Sequence, residues 1–195
     1  MNSRLRKLFT LFRGAGIDAL LVSSWPNVTY LSGFKATESW ILVSHKGLFF
    51  ITDSRYAEQA AEEARGFRLV LRDKRSVSDI VSDLTHRLKI NHLGFESDIV
   101  THGFYSVLAK KLGGSKLKPT HGLIEALREI KDESEVRTLR KSAELAVKGF
   151  HYIRQMVRPG MTEREAQARL EYYTKCLGAE KPAFDIIIGS GARSS

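Results

Sequence analysis

Apolar residues recur along the front of the chain in two rhythms. Leu5, Leu8, Phe9 and Phe12 fall at i, i+3, i+4 and i+7, which predicts a helix over about residues 3–15, stopped by Gly14 and Gly16. Ala19, Leu20, Leu21 and Val22 run without interruption, as a strand buried on both faces does. Trp25-Pro26-Asn27 breaks that run. Two further apolar runs, 40–43 and 48–52, flank His45-Lys46-Gly47 and read as a hairpin. Asp53 or Ser54 can cap a helix over 56–65, and Gly66 ends it. Residues 67–71 read as a strand. Ser76 to Asp79 resembles a capping box before a helix with Val77, Ile80, Val81, Leu84 and Leu88 on one face. A short strand over 92–95 and a helix over 101–112 follow, the latter stopped by Gly113-Gly114.

This alternation predicts an α/β unit with a mixed sheet. Lys116-Leu117-Lys118-Pro119 reads as the link that follows it. A second rhythm then begins. Asp132 caps a helix with Glu133 and Glu135 in its first turn, where the helix dipole favours carboxylates. Val136, Leu139, Ala143, Ala146, Val147, Phe150 and Ile153 form its stripe, and Arg158-Pro159-Gly160 ends it. Thr162 and Glu165 form a T-x-x-E box for a helix to about Leu177. Phe184 to Ile188 reads as a strand before the turn Gly189-Ser190-Gly191. The expected division is 1–125 and 126–195. Two helices and one strand cannot bury their own faces, so the second region reads as the front of a larger domain cut short. Its unpaired strand is expected to recruit a second copy of the chain.

Composition narrows the class. Of 195 residues, 43% are apolar and 27% charged, which excludes disorder and fibrous repeats. The net charge of +9 is interleaved with acids along the chain and forms no basic block, so nucleic acid is not an expected partner. No apolar run approaches the ~18 residues of a membrane span. The run from Leu8 to Phe12 is too short for a signal peptide. A soluble, cytoplasmic protein is expected, with no membrane partner. The single cysteine, Cys176, permits no internal disulfide and reads as a core or half-buried thiol.

Spacing alone nominates no chemistry. H-E-x-x-H, H-x-H, C-x-x-C and G-x-S-x-G are absent. The Gly189 turn fails G-x-G-x-x-G at Ser194. The six histidines show no one-turn spacing to each other and read as surface or capping residues. Asp53, Arg55 and Tyr56 cluster at a strand end as a cap with an ion pair.

Five phrases in order nevertheless resemble one family. Asn27-Val28-Thr29-Tyr30-Leu31-Ser32-Gly33-Phe34 is similar to the N-x-x-Y-L-[TS]-G-F segment of the creatinase, prolidase and aminopeptidase P family. Thr52-Asp53-Ser54-Arg55-Tyr56 with Gln59-Ala60 resembles its T-D-x-R-Y-x-x-Q-A segment. Ile130-Lys131 with Glu135, Pro159-Gly160-Met161-Thr162-Glu163-Arg164-Glu165, and Phe184-Asp185-Ile186-Ile187 resemble elements of its catalytic domain.

The resemblance implies a creatinase-like N-terminal domain followed by the incomplete start of a pita-bread α+β domain. It implies a parent peptidase that hydrolyses the Xaa-Pro bond of peptides or dipeptides with two divalent metals (Mn, Co or Zn). The family's metal ligands (two aspartates, a histidine and two glutamates) all lie beyond the matched segment, and a catalytic histidine follows the Gly-rich turn. No metal ligand and no catalytic residue is therefore assigned in this chain, which is expected to be inactive alone. The resemblance nominates Phe184, at an apolar pocket near the substrate N-terminus, and Asn27, near the active-site entrance. Core packing and turn capping are their respective alternatives. A homodimer is expected through the N-terminal domain. A non-catalytic binding or oligomerisation module is the alternative function.

Overall fold

A computed structural model describes residues 2–35 and 38–194. Ser195, the last residue of the Gly-rich segment in the sequence, lies outside them. The chain divides into one compact unit ending at Ile130 and another beginning at Lys131.

The first unit is built on a six-stranded mixed sheet. In chain order its elements are α1 (Ser3–Ala15), β1 (Ala19–Val22), α2 (Trp25–Ser32), β2 (Trp40–Ser44), β3 (Gly47–Thr52), a 3-10 turn (Ser54–Tyr56), α3 (Ala57–Glu63), β4 (Arg68–Leu71), α4 (Val77–Arg87), β5 (His92–Glu96), α5 (His102–Leu112), β6 (Lys116–Thr120) and α6 (Leu123–Glu129). The strand order is β4-β3-β2-β1-β5-β6. The hairpin makes β1–β2 and β2–β3 antiparallel, and the other pairs are parallel.

Alternate residues of the strands separate two cores, one on each sheet face. Leu20, Val22, Ile41, Val43 and Phe50 meet Leu5, Leu8 and Phe12 of α1, Val28 and Leu31 of α2, and Ile124 of α6. Ala19, Leu21, Leu42, Phe49 and Ile51 meet Val77, Ile80, Val81 and Leu84 of α4, with Leu108 and Leu112 of α5. The α/β class and the mixed sheet follow as the sequence pattern predicts.

Three segments depart from that pattern. Trp25-Pro26-Asn27 does end β1, but it also opens α2, with Pro26 in the first turn, where a missing N–H costs no hydrogen bond. Lys116–Thr120, read as a link, is the edge strand β6, and Pro119 pairs there with Phe95 of β5. An edge strand tolerates proline because one side of its backbone makes no ladder. Residues 123–129 form a helix that packs Ile124 into the first core.

The second unit contains α7 (Glu133–Met156), α8 (Glu163–Cys176) and a 3-10 turn (Gly191–Arg193). Both long helices start with a complete capping box, Asp132 with Glu135 and Thr162 with Glu165. They pack closely at Gly149, where a Cβ atom would stand 3.0 Å from Thr174 Cγ2 and 3.1 Å from Leu170 Cδ1. The rings of Tyr152 and Tyr173 stack at 4.0 Å. Phe184–Ile188 is not a strand: no described segment pairs with it, and without a ladder its backbone stays irregular. Among the described residues of this unit only Gly149 and Ala166 are buried.

Candidate functional site

The two residues nominated from the sequence lie in different units and in opposite environments. Asn27 is wholly buried in the first turn of α2, just beyond the C-terminal end of β1. Beside it, β5 ends in Glu96, a carboxylate only 8% exposed after Leu93, Gly94 and Phe95. The N-cap of α2, Ser24, makes no side-chain cap bond. Glu96, from the neighbouring strand, instead fixes the two residues that lead into the helix. Its Oε2 accepts from Ser23 N at 2.6 Å and Ser24 N at 2.8 Å, and from Ser23 Oγ at 3.1 Å. A carboxylate beside a helix N-terminus also meets the positive end of the helix dipole.

Asn27 joins this carboxylate to α6. Its Nδ2 donates to Glu96 Oε1 and to Glu125 Oε1, each at 2.6 Å, and its Oδ1 accepts from Arg128 Nη1 at 2.9 Å. Both ends of the amide are therefore engaged inside the unit. The turn-capping alternative fails for a simple reason: the amide bonds to other elements and not to its own turn. A cavity of about 40 Å³ beside Glu96, Asp98 and Glu125 is too small for a peptide.

The second unit holds a groove roomier than that cavity. A groove of about 390 Å³ runs between α7, α8 and the segment after α8, lined among others by Leu145, Phe150, Leu170, Pro182 and Phe184. Phe184 is 77% exposed and Ile187 is 88% exposed. Among the described residues, none packs Phe184 into a core. Ser190 N donates to Glu163 Oε1 at 2.8 Å, which ties the end of this segment to the start of α8. At that same helix end the Thr162 backbone N–H and hydroxyl hold the Glu165 carboxyl below its ordinary range.

Other candidates resolve into local structure. Asp53 pairs with Arg55 at 2.6 Å and caps its backbone N–H, and the Arg55 hydrogen bond lowers the Asp53 pKa. The Arg55 guanidinium lies 5.5 Å from the Tyr56 ring centre. His92 faces Asp18, His121 faces Asp98, and His45 stacks on Phe9. Cys176 is exposed, not half-buried, because it lies in the last turn of a helix whose outer face no described residue covers.

Among the described residues no three His, Cys, Asp or Glu side chains converge to hold a metal ion. The described residues therefore do not fit a metal pair. No described helix is long and apolar enough to cross a membrane. Sequence reasoning missed Glu96, Glu125 and Arg128. The available signals were a glutamate closing the run Leu93-Gly94-Phe95, and an acid and a base three residues apart on one helix face.

Comparison with known proteins adds to this geometry. Residues 4–130 match the creatinase/prolidase N-terminal domain, and residues 137–195 match metallopeptidase family M24. The chain is similar to the Xaa-Pro dipeptidase of Pyrococcus horikoshii, 32% identical over 196 residues covering 100% of this chain and 54% of the relative. A solved Xaa-Pro dipeptidase from Bacillus anthracis superposes with a TM-score of 0.92 at 36% identity, covering 98% of this chain and 53% of that one. The N-terminal domain of the cytoplasmic peptidase PepQ from Mycobacterium tuberculosis matches at 32% identity and a TM-score of 0.59, covering 65% of this chain and 99% of that one. The chain spans about half the length of the curated relatives it matches.

Proposed function

The chain belongs to the creatinase/prolidase family, and from that membership we propose that it serves a metallopeptidase that hydrolyses Xaa-Pro bonds. One observation carries this reading: the N-terminal domain and the opening of the M24 metallopeptidase region follow each other in one chain, as in relatives that are Xaa-Pro dipeptidases. Proline calls for a dedicated site because its amide nitrogen carries no hydrogen and its ring fixes φ. An extended-strand mode of peptide binding, which relies on backbone N–H groups, is weakened at that residue.

Within this reading the exposed Phe184 and its groove contribute an apolar wall toward the substrate N-terminus. Asn27 belongs to the framework of the first unit, since its amide is fully engaged by Glu96, Glu125 and Arg128. Two divalent metals (Mn, Co or Zn) would be held by residues outside this chain, so these 195 residues alone are inactive. We extend the reading to a cytoplasmic homodimer assembled through the first unit; a cytoplasmic PepQ relative supports the location.

The test is a chimera that joins this chain to the complementary half of the Bacillus anthracis dipeptidase. Folding is checked by cooperative melting, and Xaa-Pro dipeptides and longer Xaa-Pro peptides are offered with Mn²⁺. Xaa-Pro hydrolysis by the chimera, with none by the 195-residue chain, is the expected result. A folded chimera that cleaves no Xaa-Pro bond overturns the proposal, as does turnover by the chain alone. The alternative, a non-catalytic module, has one supporting observation: the PepQ domain of matching extent forms a structure by itself.

A further inference from the structure

We propose that Asn27, Glu125 and Arg128 form a latch that holds α6 on the sheet and so sets the length of free chain before α7. Glu125 and Arg128 lie three residues apart on α6, and the Asn27 amide answers both, its N–H₂ to the carboxylate and its carbonyl to the guanidinium. The second Nδ2 hydrogen goes to Glu96, which is itself fixed to the backbone of Ser23 and Ser24. The helix is thus read at two points by a side chain that cannot turn over without losing both contacts. An inverted amide would set its oxygen against two carboxylates and its N–H₂ against a cation.

Beyond the latch, α6 is held lightly, by apolar contact and a Tyr30 hydroxyl that donates to the Leu127 carbonyl at 3.3 Å. The helix has seven residues, and Ile124 is its one fully buried side chain, with Leu123 and Leu127 half-buried. A helix this short is not stable without tertiary support. Docked, it leaves residues 130–132 between its end and the start of α7. Undocked, the unstructured stretch becomes residues 121–132. The latch is therefore a conformational device, with α6 as the element that is either helix or tether.

Hydrogen exchange on the 195-residue chain tests this. Asn27→Asp is nearly isosteric but replaces the donor with an oxygen facing two carboxylates. In this variant the α6 amides should exchange roughly 10- to 100-fold faster, the range for losing a hydrogen bond to a charged group, while β1 and β5 keep their protection. Adding Glu125→Gln to Asn27→Asp restores a donor to the pair and should slow α6 exchange back toward the wild-type rate. Should Asn27→Asp fail to fold, the double variant Glu125→Ala with Arg128→Ala removes the latch from the helix side, where Glu125 is exposed and Arg128 half-buried. Selective loss of α6 protection there supports the latch. Wild-type exchange of α6 in that double variant overturns it. So does uniform acceleration across the unit, or no slowing on adding Glu125→Gln to a folded Asn27→Asp chain.

Discussion

The two units of this chain are built on different terms. In the first, strands and helices supply one another's cover, and side chains such as Phe34, Phe49 and Phe50 are fully buried. In the second, α7 and α8 are equally well started, yet Leu139, Val147 and Phe150 of the α7 stripe are more than half exposed. Local signals thus suffice to write a helix, whereas a core needs complementary surfaces from several elements. The stripe of α7 is patterned for cover that these residues do not themselves provide.

The sharpest way to break this contrast is to truncate one aromatic in each unit. Phe50→Ala should cost about 3–5 kcal/mol by opening a cavity in a closed core, read from the shift of a urea midpoint. Phe184→Ala should stay within about 0.5 kcal/mol, as for a surface side chain. Comparable losses would erase the distinction. A smaller effect tests the close approach of the two helices at Gly149. Gly149→Leu places a side chain where Thr174 and Leu170 already crowd, and should destabilise the helix pair by about 1–3 kcal/mol, seen as a lower melting point of the helical circular dichroism.

Removing a cap from each unit sharpens the comparison further. Ser76→Ala and Asp132→Ala each delete an N-cap, worth about 1 kcal/mol. In α4, whose apolar face is buried, the first turn should persist. In α7 it should fray, with amide exchange at residues 133–136 rising while that of 77–80 changes little.

The least effect belongs to a surface carboxylate. Lys111 and Ser76 hold Asp79 down at about 2, against an ordinary 3.8. A pKa that is lower in the folded chain stabilises it above the unfolded value, and that contribution fades as pH falls from about 4 to about 2. Carboxyl NMR should show the midpoint near 2, and Lys111→Met should return it toward 3.8. The group is exposed and salt screens it, so the change in overall stability should be slight.

How much of this was legible follows the same line. The strands β1 to β5 and the helices α1, α4, α5, α7 and α8 carry their own signals in apolar period and caps. α2 was hidden because Trp25-Pro26 looks like a breaker until the proline is placed in a first turn. β6 was hidden because two lysines and a proline outweigh one leucine in any short window. The Asn27 cluster was illegible as a whole, since its partners lie 69, 98 and 101 residues away. Phe184 could be named from its motif, but its exposure depends on what packs nearby, which periodicity does not record.

The placement of Pro119 reaches beyond the fold itself. At the β6 margin it offers no N–H to a newcomer, and Lys116 and Lys118 on the same strand add positive charge. Two molecules meeting there would repel and could not zip their backbones together. Concentrated solutions should accordingly be spared fibril growth from that side of the sheet.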